Sequence, residues 1–138
     1  MRIHPINAYP LTWPVGWART PRTDRHKSPY RMTFARSRDE VFKLVAKLGG
    51  TDPILSTNVP LTRRGIPGSA APSIDDPGAA LYWNDRDGKP CCMPCDAWAT
   101  VRENIRAIAV ALTALHSLER TKASQIIQRA FSGFAALP

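Results

Sequence analysis

The sequence predicts an α+β domain: a small antiparallel sheet of about three strands packed against an amphipathic helix and a C-terminal αα-hairpin, preceded by an extended Pro/Trp-rich segment. Three observations predict it. Apolar residues recur at helical spacing over 41–48 and 98–115. Two short strand-like runs flank a glycine-containing turn at 84–88. Ten of the 13 prolines precede Gly78, which makes the first half loop-rich and the second half regular. The 138 residues amount to one ordinary domain, divided into an extended basic segment over 1–35 and an α+β core over 36–138. A chain of this size buries roughly two-thirds of its unfolded surface, enough for a core without staples. Its hydrophobic fraction of 43% excludes a disordered composition.

In the N-terminal segment, prolines at 5, 10, 14, 21 and 29 remove donors and disfavour helix before each of them. The chain there is expected to run extended, with Trp13 and Trp17 anchored on a core formed elsewhere. Aromatics among prolines also suit a docking motif or a platform on which bases stack. Thr33 or Ser37 can cap a helix to about Leu48, with Val41, Leu44, Val45 and Leu48 on one stripe. Asp39 and Glu40 fall in its expected first turn, Lys43 and Lys47 lie toward its end, and Gly49-Gly50 stops it. Residues 53–59 read as a strand, and the stretch Pro60 to Gly78 as a long loop carrying Arg63-Arg64. Ala79 to Trp83 and Lys89 to Met93 read as a β-hairpin. Asp96 is the expected cap of a helix of about five turns from Ala97, with Trp98, Val101, Ile105, Ile108, Leu112 and Leu115 inward. Thr121 is the expected cap of a last helix to about Phe134, with Ile126, Ile127, Ala130, Phe131 and Phe134 inward.

Charge is the most marked functional signal. Between Arg19 and Arg38 lie Arg19, Arg22, Arg25, Lys27, Arg31, Arg36 and Arg38 against the single acid Asp24, a net +6 of the chain's +8. Such a concentration raises the local potential and attracts an acidic protein surface or nucleic acid; a solvated arm that aids solubility is the alternative. The candidate partner-binding residues are therefore Arg19, Arg22, Arg25, Lys27 and Arg31, with Arg63 and Arg64 as a second basic spot. The ends of the segment are tied to the Trp-Pro anchor and the first helix, leaving about Pro21 to Tyr30 free.

Other chemistries find less in the sequence. Cys92-Met93-Pro94-Cys95 has the spacing of zinc and redox sites, but no second ligand pair accompanies it and His4, His26 and His116 are scattered. Structural thiols are the reading set against metal or redox roles, and no cofactor is expected. No nucleophile–base–orienter set and no phosphate-cradling glycine loop occurs, so an enzyme is not expected. No helix-turn-helix, RNP motif or zinc finger supports sequence-specific readout. The start of the chain lacks a continuous apolar core, and Ile105 to Leu118 is too short and too interrupted to span a bilayer. A bacterial-type cytoplasm is the expected location.

Several segments carry a resemblance: Trp13-Pro14-Val15-Gly16-Trp17-Ala18-Arg19-Thr20, Ser56-Thr57-Asn58-Val59-Pro60-Leu61, Asp76-Pro77-Gly78-Ala79-Ala80-Leu81-Tyr82-Trp83, Cys95-Asp96-Ala97-Trp98 and Asn104-Ile105-Arg106-Ala107-Ile108-Ala109. With the ending Arg129 to Pro138, they resemble the N-terminal module of small bacterial, phage and plasmid DnaJ-like proteins, whose longer members continue into a J domain. This chain stops at Pro138 and has no His-Pro-Asp tripeptide, so co-chaperone activity is not expected of it. The resemblance implies the client- or target-binding module alone. The expected function is that of a non-enzymatic adaptor of a mobile element that engages a host macromolecule, an inhibitor of a host defence system being one form. Nonspecific nucleic-acid binding is the alternative.

Overall fold

The computed structural model describes residues 5–27, 31–68 and 74–131. His4, Tyr30, Phe134 and the side chain of Phe131 lie outside the described residues. The elements are α1 (Phe34–Lys47), β1 (Thr51–Thr57), β2 (Ala79–Asn84), β3 (Pro90–Cys95), α2 (Val101–Arg120) and α3 (Ala123–Phe131), with a short 3-10 turn at Arg22–Asp24. The expected α+β architecture is what the chain adopts: three strands in the order β1-β2-β3, both pairs antiparallel.

Strand alternation decides which residues meet the helices. Leu55 pairs with Leu81, Leu81 with Met93, and Trp83 with Cys91, so these side chains share one face. That face joins Val41, Leu44, Val45 and Leu48 from the α1 region and Val101, Ile105, Ile108, Ala109 and Leu112 of α2 in one core. Ile105 and Leu112 are fully buried and Ile108 nearly so, each contributing roughly 1.5–3 kcal/mol relative to exposure. α2 is thus the central helix, and it packs beside α1, where Arg106 donates to Glu40 at 2.6 Å.

The helix starts depart from expectation in instructive ways. Thr33 caps α1 by accepting from the Arg36 N–H at 3.2 Å. Ser37 lies one turn inside the helix, buried. Because α1 begins early, Asp39 and Glu40 fall in its second turn and pair with Arg38 and Arg106 rather than complementing the helix end. α2 begins at Val101, not Ala97: Thr100 is its cap, accepting from the Glu103 N–H at 3.2 Å while its hydroxyl meets the Glu103 carboxylate at 3.0 Å. Asp96 therefore caps nothing, and Trp98 stands before the helix rather than on its inner stripe.

At the other end, Thr121 closes α2 instead of opening α3, its hydroxyl donating to the Ser117 carbonyl at 2.9 Å. Ile126 and Ile127, expected inward, are 70% and 40% exposed. The reason is length. A 20-residue helix runs roughly 30 Å, whereas a six-residue strand runs roughly 20 Å, so the last turns of α2 overhang the sheet and α3 has mainly α2 to pack on.

The opposite face of the sheet, with Ser56 and Tyr82, is covered by the N-terminal segment. Ser56 Oγ donates to the Asn7 carbonyl at 2.5 Å and accepts from the Thr12 N–H at 2.7 Å. The Tyr82 hydroxyl donates to the Thr12 carbonyl at 2.6 Å, and the Leu11 N–H reaches Asn58 Oδ1 at 2.9 Å. The proline-rich segment is a strap hydrogen-bonded across the outer face, and this positions everything that follows it.

Candidate functional site

After crossing the sheet the strap turns at Pro14–Trp17, where Gly16 takes φ +83 and the Trp17 N–H meets the Pro14 carbonyl at 3.3 Å. Trp13 braces this turn from within the strap. Its indole N–H donates to the Trp17 carbonyl at 3.0 Å, and the Arg19 guanidinium lies 4.4 Å from its ring centroid. Val15 and Trp17 point away, 88% and 57% exposed. Neither tryptophan joins the core on which both were expected to anchor: Trp13 is half-buried among its own neighbours in the strap, and Trp17 is displayed.

The strap is then fastened to one buried carboxylate. Asp96, 5% exposed, accepts from Arg19 Nε at 2.8 Å, from the Thr20 N–H at 3.0 Å and from the Thr20 hydroxyl at 2.7 Å. Arg25 Nη2 lies 3.8 Å from it, and Arg25 Nε donates to the Asp96 carbonyl at 3.2 Å. Arg19 also donates to Asp76 at 2.5 Å. Burial pushes the Asp96 carboxyl up, but the bonds from Arg19 and Thr20 outweigh it and hold the group below the usual carboxylate range. Asp76 is likewise held down: burial opposes the shift, and Arg19 and the Gly78 N–H prevail. Beyond Arg25 the chain joins the 97–99 linker by a parallel bridge, the His26 N–H to the Ala97 carbonyl at 3.1 Å and the Ala99 N–H to the His26 carbonyl at 2.9 Å.

That linker needs its own support, which comes from Asn104. Fully buried on α2, it accepts from the Trp98 N–H at 3.0 Å and the Cys95 thiol at 3.4 Å, and donates to the carbonyls of Pro77 at 2.8 Å and Trp98 at 3.1 Å. Asn104 holds the linker, and Asp96 within it holds the strap.

The candidate cations thus divide. Arg19 and Arg25 converge on Asp96 and serve the fold. Arg22, Lys27 and Arg31 are exposed and make no ion pair among the described residues. The expectation of a free middle is corrected at 22–26, where the 3-10 turn and the His26 bridge fix the backbone; Ser28 to Tyr30 lie outside the described residues. Arg63 and Arg64 stand exposed on a separate tight turn closed by the Thr62 N–H to the Ile66 carbonyl at 2.8 Å, with Arg38 Nη1 holding the Pro67 carbonyl at 2.9 Å.

Geometry speaks against one joint role for the cysteine pair. In a strand, residues three apart face opposite sides, so Cys92 lies on the strap side while Cys91 and Cys95 pack against the core. Burial is the largest influence on all three thiols and pushes each up. No group of three metal-ligating side chains occurs among the described residues. Since only the thiolate attacks, all three cysteines are expected to react with a chromogenic disulfide at neutral pH roughly tenfold or more slowly than free cysteine, until denaturant is added. Rapid labelling of Cys92 or Cys95 in the folded protein would revive a redox role.

No helix among the described residues is long and apolar enough to cross a membrane. No family model matches the chain, and no curated protein or solved structure matches it.

Proposed function

We propose that this chain is a non-enzymatic binding module that docks its N-terminal strap on an acidic protein surface. The observation that carries this reading is the Asp96 anchor. It fixes the strap at Arg19–Thr20 and again at Arg25, so that Trp17, Arg22 and Lys27 are presented between or beside the anchor points on an ordered backbone. A pre-ordered surface loses little conformational entropy on association, and an exposed Trp beside cations is the composition of an interface hot spot. The resemblance to the target-binding module of DnaJ-like proteins supports the same reading. It makes a host macromolecule the partner of a mobile-element adaptor, with inhibition of a host defence system as one concrete form.

Nucleic-acid binding is the second reading, favoured by the exposed Trp17 as a stacking face and by the Arg63-Arg64 spot. Salt separates the two. Five exposed cations, Arg22, Lys27, Arg31, Arg63 and Arg64, engaging phosphates would give a log–log slope of about −4. A protein interface built around Trp17 is expected to show a much shallower slope. Replacing Arg22, Lys27 and Arg31 together by Glu is expected to weaken partner binding by about 100-fold or more, each reversal removing an attraction and adding a repulsion. Unchanged affinity of that triple variant, measured by titration calorimetry, would remove the strap from the interface.

A further inference from the structure

We propose that the concavity between the β2–β3 turn and the C-terminal end of α2 binds a phosphate group. It is lined by Arg86 from the turn, His116, Glu119 and Arg120 of α2, and Lys122 of the α2–α3 connection. Three permanent cations and an imidazole thus face one space with one carboxylate among them. None of Arg86, Arg120 and Lys122 forms an ion pair among the described residues. With Glu119 as the one carboxylate against Arg86, Arg120 and Lys122, the lining keeps a net positive charge.

Cations near the ends of α1 and α2 also complement the helix dipoles, and that role accounts for part of the arrangement. It does not account for the fixing of Arg86. Its Nε donates to the Leu48 carbonyl at 3.1 Å, and its stem lies so close on Gly49 that a Cβ there would overlap the guanidinium. One nitrogen is thereby spent on the helix end, and the two terminal nitrogens remain for a ligand, held in a fork that matches phosphate oxygens. Asp85 of the same turn is withdrawn, its carboxylate accepting from the N–H groups of Asp87 and Lys89. The concavity is shallow and partly open to solvent. At about 270 Å3 the space falls below the range of sites for whole small molecules, yet it holds several waters' worth of anion. A phosphate group with some of its hydration fits both the size and the charge.

The site is independent of the strap. Asp76 and Asp96 flank the Ala79/Cys95 end of the hairpin, and Arg86 lies at its turn, a strand length away, roughly 20 Å. Inorganic pyrophosphate is the probe, titrated by calorimetry at low ionic strength. The test variant is Arg120→Gln with Lys122→Gly, which keeps the fold because Lys122 sits at φ +63, a conformation that glycine takes without strain. Saturable binding is expected, weakened at least about tenfold in that variant and unchanged in Arg22→Gln/Lys27→Gln. No saturation, or a loss that follows the strap variant instead, overturns the proposal. A short single-stranded oligonucleotide distinguishes the phosphate's source. If its affinity falls in the pocket variant as well, the site takes a nucleic-acid phosphate; if only pyrophosphate is affected, it takes a free or small-molecule one.

Discussion

Replacing Asp96 by Ala is expected to cost roughly 3–5 kcal/mol, because it strips the partner from Arg25, whose side chain is largely buried, and from Arg19 and Thr20 at once. Against a stability of about 5–15 kcal/mol for a single domain, that is about a fifth of the total or more. The urea midpoint measures the loss. Tryptophan fluorescence reports its location, since Trp13 is stacked under Arg19 and moves with the strap. The same anchor gives the protein an acid limb. Asp96 and Asp76 are both held below the usual carboxylate range in the folded state, so their contribution is complete above about pH 4 and is lost as pH falls through their lower folded values. Asp96→Asn is expected to remove the Asp96 share of that acid dependence and leave that of Asp76, giving a shallower loss of stability below about pH 4. An unchanged acid limb would mean that other carboxylates govern it.

The second large effect belongs to Asn104. Truncation to Ala removes the donor to the buried Pro77 carbonyl and both of the bonds Asn104 makes to the part-buried Trp98 backbone, and each buried polar group that loses its partner costs about 1–3 kcal/mol. A total of roughly 3 kcal/mol or more is expected, since relaxation recovers part of the sum. Asn104→Leu is not expected to restore stability, although it fills the volume on an apolar helix face, because leucine supplies neither the donor to the Pro77 carbonyl nor the acceptor for the Trp98 N–H. Restored stability in Asn104→Leu would show that packing, not hydrogen bonding, is what this position supplies. Amide exchange at Trp98 is expected to accelerate in both variants.

These two residues also mark how far the sequence could be read. The sheet, α1 and the body of α2 follow from periodicity: Val41, Leu44, Val45 and Leu48 on one stripe, and Leu81 and Trp83 alternating on a strand, are all core. Asp96 stands before a helical pattern and reads as its cap, but the sequence reading missed the capping-box spacing of Thr100 and Glu103, where the helix in fact starts. Moving the start of α2 to Val101 frees Asp96 for its long-range partners. Asn104 announces itself only as a polar residue between Val101 and Ile108 on the buried face. What it holds is non-local, spanning Pro77 to Asn104, and no local rule encodes it. The cation clusters divide in the same way. Net charge located the strap but not which arginines turn inward, because that depends on two aspartates 57 and 77 residues away from Arg19. The cations around the Arg86 concavity are spread over 37 positions and form no run in the sequence.

Whether the strap docks a protein is decided by a nuclease-treated capture from bacterial lysate, using the full chain beside the Arg22→Glu/Lys27→Glu/Arg31→Glu variant. The expected result is a retained protein that survives nuclease digestion, is lost from the reversed variant, and has an acidic surface when identified. Retention that disappears with nuclease, or that is equal for the two chains, would contradict it.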